Sequence, residues 1–123
     1  MIFNKVLDFA IKIKVIHSIP GRLRINAPAI KQIPKEWQIQ DENITSVFLV
    51  IKGVKEVSFS YLTGNVVIKY DPQITNEKKI LKAVRRIIQI VISYRKEIEN
   101  ITIDELKDEI ARMALIVKDE MSK

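Results

Sequence analysis

Val57-Ser58-Phe59-Ser60-Tyr61, Leu62-Thr63-Gly64-Asn65 and Val66-Val67-Ile68-Lys69-Tyr70-Asp71-Pro72 form one continuous stretch whose reading decides the fold. Apolar side chains recur at every second position, at Val57, Phe59 and Tyr61 and again at Val66, Ile68 and Tyr70. That period places them on one face of each strand. The four residues between the two runs are turn formers, so the stretch predicts a β-hairpin with one apolar face. Asp71-Pro72 ends the second strand, because the residue before a proline is turned away from regular continuation. A lone hairpin is marginal in water, and its apolar face must find cover.

Cover is supplied on both sides. Downstream, Thr75 or Asn76 is placed to cap a helix with Ile80, Leu81, Val84, Ile87, Ile88 and Val91 inward and Lys78, Lys79, Lys82, Arg85 and Arg86 outward. Within it, Ile87 to Tyr94 keeps helical spacing, although its β-branched residues would also suit an edge strand. Thr102-Ile103-Asp104-Glu105 has the form of a capping box. It opens a second amphipathic helix with Ile103, Leu106, Ile110, Met113, Val117 and Met121 on one stripe. That stripe is expected to dock on the domain, with self-association or a groove on another protein as alternatives.

Upstream, Gly53 stops a helix with Ile44, Val47, Phe48 and Ile51 inward, capped by Asp41 or Asn43. Pro28 and Pro34 bracket a loop carrying Lys31, Lys35 and Trp37. Arg22 to Ala27 alternates strictly, with Leu23, Ile25 and Ala27 on the core side and Arg22, Arg24 and Asn26 opposite. Ser18-Ile19-Pro20-Gly21 is a turn. Before it, Ile11, Ile13 and Val15 begin a further alternation, and Met1 to Ile11 has the spacing of a short helix. The order of elements predicts an α+β chain: a ferredoxin-like (split βαβ) antiparallel sheet with helices on one face. A short N-terminal helix and a C-terminal amphipathic helix are added to it. The expected divisions are 1–14, 15–98 and 99–123.

With 47% apolar and 29% charged residues in 123, the chain can bury a core and fold as one domain. It has no cysteine, which removes disulfides, thiolate metal sites, iron–sulfur clusters and cysteine nucleophiles. None of its three glycines belongs to a nucleotide-binding loop pattern. Charged residues interrupt the N-terminal apolar residues, and no stretch approaches the roughly 20 apolar residues of a spanning helix. A cytoplasmic location is expected. The net charge of +6 is uneven: residues 1–40 carry seven basic and two acidic groups and 73–98 the same, whereas 99–123 carry four and seven. Such asymmetry fits a basic surface for phosphates, anionic lipid or an acidic partner, or lysines that merely solvate helix and strand faces.

Three segments together resemble a known family: His17-Ser18-Ile19-Pro20-Gly21-Arg22-Leu23-Arg24, Lys52-Gly53-Val54-Lys55-Glu56-Val57, and Thr63-Gly64-Asn65-Val66 through Asp71-Pro72. They are similar to the cysteine-less branch of the heavy-metal-associated domains over Val15 to Ile88. That branch is found alone or ahead of metal-transporting P-type ATPases, including those encoded with ferrosome accessory proteins. The resemblance implies the ferredoxin-like fold and a place beside a metal-transport or iron-storage membrane system, with a P-type ATPase or related membrane protein as partner. Metal-carrying members place Cys-x-x-Cys after the first strand; here that loop reads Asn26-Ala27-Pro28-Ala29-Ile30-Lys31-Gln32, so their thiolate exchange is not carried over. The family's final strand is not evident, and either the first residues or Ile87 to Tyr94 is left to supply that edge.

Candidate site residues follow. Arg22 and Arg24 share the non-core face of one strand, where guanidinium forks suit carboxylate or phosphate, or else pair with Glu56 or Asp71. The resemblance adds that ATPase-associated relatives carry an arginine-bearing motif where cysteine chemistry would be expected. Lys31 joins this partner- or anion-binding set. So does Trp37, which is read either as an exposed contact or as a lid over the core. Lys79, Lys82 and Arg86 could meet lipid headgroups or nucleic-acid phosphates, yet basic residues interleaved with stacking aromatics are missing, which argues against nucleic acid. His17 is a single imidazole where a held transition metal needs three or four ligands, so it is expected to fix the Pro20-Gly21 turn instead. No nucleophile, base and orienting group assemble, and neither an enzyme nor a cofactor is expected. The reading is an accessory interaction module of a metal system. A polyanion-binding module, with peripheral membrane contact, and a homo-oligomer formed through the C-terminal helix are the alternatives.

Overall fold

In the computed structural model, which describes residues 12–98 and 100–123, alternating sequence becomes sheet wherever one face can be buried. The helix expected over Met1 to Ile11 lies outside the described residues. Four strands, β1 (Lys14–Ile19), β2 (Arg22–Asn26), β3 (Val54–Phe59) and β4 (Asn65–Tyr70), pair antiparallel in the order β1-β2-β4-β3. The helical elements are α1 (Pro28–Lys31), α2 (Glu42–Ser46), α3 (Glu77–Ser93), α4 (Arg95–Ile98) and α5 (Ile103–Met121). Without β1 and α5, the order β2, α2, β3, β4, α3 is that of a split βαβ, and the fold is the predicted ferredoxin-like α+β arrangement.

One face of the sheet is dry. Leu23, Ile25 and Ile68 are fully buried and meet Ile80, Val84, Ile87 and Ile88 of α3. Burying these aliphatic side chains is the main stabilising term for the two layers, each contributing on the order of 1.5–3 kcal/mol. The helix α3 begins where Asn76 Oδ1 accepts the Lys79 N–H at 3.0 Å and runs unbroken to Ser93. Residues 87–93 are therefore helix, and the edge position beside β2 is taken by β1.

β1 contains a bulge that alternation alone does not reveal. Val15 stands opposite Ile25 and His17 opposite Arg24, so Ile16 is an extra residue between them. Two residues apart would normally mean one face. The bulge instead turns Val15 toward the inner face and His17 toward the outer one. The strand then continues through Ile19, beyond the point where the turn was expected to start.

Two further differences lie between β2 and β3. The bracketed loop holds α1, begun by Pro28 at a position where a proline's missing N–H costs nothing, and a 3-10 turn at Lys35–Trp37. The helix expected before Gly53 is short: the Asp41 side chain accepts the Asn43 N–H at 2.8 Å, but beyond Ser46 the chain tightens into a 3-10 turn over Val47–Val50. The Ser46 hydroxyl donates back to the Asn43 carbonyl at 3.2 Å, and β-branched Thr45, Val47 and Val50 crowd the coil. α5 packs against α2, α3 and this 3-10 turn. Its Val117 is almost fully buried in the main core, so the apolar stripe docks within the chain.

Candidate interaction surfaces

The outer face of the sheet carries the arginines. In register, Arg22 stands between Ile19 of β1 and Lys69 of β4, and Arg24 between His17 and Val67. Lys14 faces Asn26 at the end of the same ladder. The cross-strand pairing of Arg22 with Lys69 sets like charges against each other, which costs stability unless something else neutralises them. Glu56 approaches Lys69 at 3.8 Å, with both side chains more than half exposed, a pair of little strength. The Asp71 carboxylate is engaged by its own loop, accepting the Gln73 N–H at 2.9 Å. The alternative pairing of Arg22 and Arg24 with Glu56 or Asp71 is thus not formed, and neither arginine has an ion pair among the described residues.

His17 is exposed beside Arg24, and its ring makes no hydrogen bond among the described residues, so it does not hold the Pro20-Gly21 turn. The bulge at Ile16 sets this position.

The segment after β2 is closed by its own hydrogen bonds. The Asn26 amide donates to the Thr63 carbonyl and to Asn65 Oδ1, both at 2.9 Å, and the Ala27 N–H donates to the Gly64 carbonyl at 2.9 Å. A Cβ on Gly64 would lie 2.9 Å from the Ala27 oxygen, so only glycine permits this approach. Ala29 and Ile30 are buried. The chain offers neither thiolate nor imidazole here, and the Asn26 amide is engaged. These residues do not fit a soft metal ion. Among the described residues no three His, Cys, Asp or Glu side chains gather where they could hold a metal.

Lys31 lies exposed at the end of α1, its stem close to Gly64. Trp37 is half-buried in its 3-10 turn, next to α5. Lys79, Lys82 and Arg86, with Lys78 and Arg85, are exposed on the outer surface of α3. The buried face of α3 covers the inner side of the sheet, so these cations and the pair Arg22 and Arg24 are on opposite sides of the molecule. They form two basic surfaces.

Sequence reasoning missed an apolar pocket of about 330 Å³ between α1, α2, α3 and α5. Its walls include Ile30, Phe48, Ile87, Leu106, Met113 and Val117, and the polar residues at it are Asn43 and Glu109. The available signal was the surplus of apolar residues on α5 and the segment 44–48, more than one sheet face can cover. No described helix is long and apolar enough to cross a membrane.

A family model described as heavy metal associated domain 2 matches residues 3–122. No curated protein and no solved structure matches the chain.

Proposed function

The chain belongs to the heavy metal associated domain 2 family, and from that membership we propose that it is a non-enzymatic, cytoplasmic accessory module of an iron transport or storage system. It works by contact with a membrane P-type metal ATPase, and without thiolate metal binding, since cysteine is absent. The observation that carries this reading is the unneutralised positive row on the open sheet face. Arg22 and Arg24 lack ion-pair partners among the described residues, and Lys69 adds to their field. A face of this kind attracts carboxylates or phosphates of a second macromolecule and orients it as it approaches.

The test is co-purification of the tagged full chain with a P-type metal ATPase from detergent-solubilised membranes. Recovery by the wild type and loss in Arg22→Glu plus Arg24→Glu supports the reading. Undiminished recovery by the double variant removes the sheet face as the contact, and no recovery by the wild type removes the partnership.

The five exposed cations of α3 favour a second reading, binding to a polyanion. It predicts binding to DNA or anionic vesicles that falls steeply with salt and is lost on Lys79→Glu plus Lys82→Glu. Absence of binding at low salt ends it.

A further inference from the structure

We propose that the pocket between α1, α2, α3 and α5 is a binding site for a free, neutral, single-chain aliphatic molecule with one hydrogen-bonding head. Its volume of about 330 Å³ falls within the range of small-molecule sites and far exceeds the packing defects of an ordinary core. Its walls are aliphatic, with Phe48 as the one ring, and no lysine, arginine or histidine among the described residues lines it. Among the described residues an anionic ligand therefore finds no counter-charge there, and a broad planar ring finds no stacking pair. An unbranched chain needs neither. Water against these apolar walls has few polar partners, so an aliphatic guest displaces it readily.

Two groups select the head. Asn43 lines the pocket; its backbone is engaged with Asp41 and Ser46, while its side-chain amide makes no hydrogen bond among the described residues. Glu109 also lines it, its carboxylate bound by the Arg112 guanidinium. The amide can bond a hydroxyl or carbonyl, while the Glu109 carboxylate, already paired with Arg112, gives a fatty acid's head no attraction.

The experiment titrates the purified full chain with 1-decanol or decanoate by calorimetry. Saturable one-to-one binding is expected, with decanol bound about tenfold more tightly than decanoate near pH 7. Ala114→Phe, which fills the pocket from α5, should weaken binding about tenfold or more, while Leu115→Phe on the exposed side of the same helix should leave it unchanged. Should Ala114→Phe fail to fold, Ala29→Leu is judged on the same criterion. Absent or unsaturable decanol binding, wild-type affinity in the filled variant, or preference for decanoate would each overturn the proposal.

Discussion

Arg22 and Lys69 stand directly opposite each other on β2 and β4, two cations in register on the central strands at one end of the open sheet face. A like-charge cross-strand pair costs roughly 0.2–1 kcal/mol, and mobile ions weaken it. Arg22→Thr, which keeps good strand propensity, is expected to raise stability toward urea by up to about 1 kcal/mol at low salt. The gain should shrink as salt is added. A gain independent of salt would mean that repulsion is not its source.

The Tyr61 hydroxyl donates to the Ile39 carbonyl at 2.6 Å and accepts the Ile39 N–H at 3.1 Å, fastening the segment before α2 to the end of the hairpin. Tyr61→Phe leaves both backbone groups without that partner and is expected to cost about 1–3 kcal/mol in chemical denaturation. Burial, opposed by the bond to Ile39, holds the phenol above its ordinary pKa. The folded state thus keeps its proton longer than the unfolded chain. This contribution is intact below the ordinary tyrosine pKa and is lost as the pH rises through the raised folded value. The alkaline fall in stability should be shallower in Tyr61→Phe than in the wild type.

At the start of α5, Glu105 Oε1 accepts from the Thr102 N–H at 3.1 Å and the Thr102 hydroxyl at 2.8 Å. Those bonds favour the charged carboxylate and lower its pKa. Their contribution is present above the carboxyl's ordinary value and fades as the pH falls through the lowered one. Glu105→Gln should reduce hydrogen-exchange protection in the first turn of α5 at neutral pH, and the difference from wild type should close in acid. A difference that persists at the lowest pH would assign the effect to something other than charge.

Gly53 has φ of +91°, and a Cβ there would lie 2.8 Å from Thr75 Cγ2 and 2.9 Å from Ile74 Cγ2. Strained backbone and crowded methyl groups act together, so Gly53→Ala is expected to cost at least about 1–3 kcal/mol. The Asp71 N–H donates to the Gly53 carbonyl at 2.8 Å, so the loop joining β4 to α3 should lose exchange protection with it. Wild-type stability in this variant would contradict the packing described.

Much of this was legible from side-chain periodicity. The faces of β2 and β4 follow from alternation because only one side of the sheet is buried, and α3 from the spacing of Ile80, Val84 and Ile87. Asn76 was one of two named caps, and Glu105 was read as a capping residue from its place after Thr102. What escaped the sequence depends on how distant segments meet. The outward turn of His17 needs the extra Ile16, which alternation counts as an ordinary strand residue. The opposition of Arg22 and Lys69 needs the neighbour relation of β2 and β4, and the pocket needs the separation of helices that sequence spacing does not set.

β1 occupying the sheet's edge has a kinetic consequence. Both β1 with β2 and β3 with β4 are joined by short turns and form quickly as local units. Only the junction of β2 with β4 spans a long loop, bringing together residues such as Asn26 and Asn65, which are 39 positions apart. Closing that loop is the entropic bottleneck, so the height of the folding barrier is set in this central seam, and changes in β1, already paired with β2 by then, alter the folding rate more than the rate at which the native state opens.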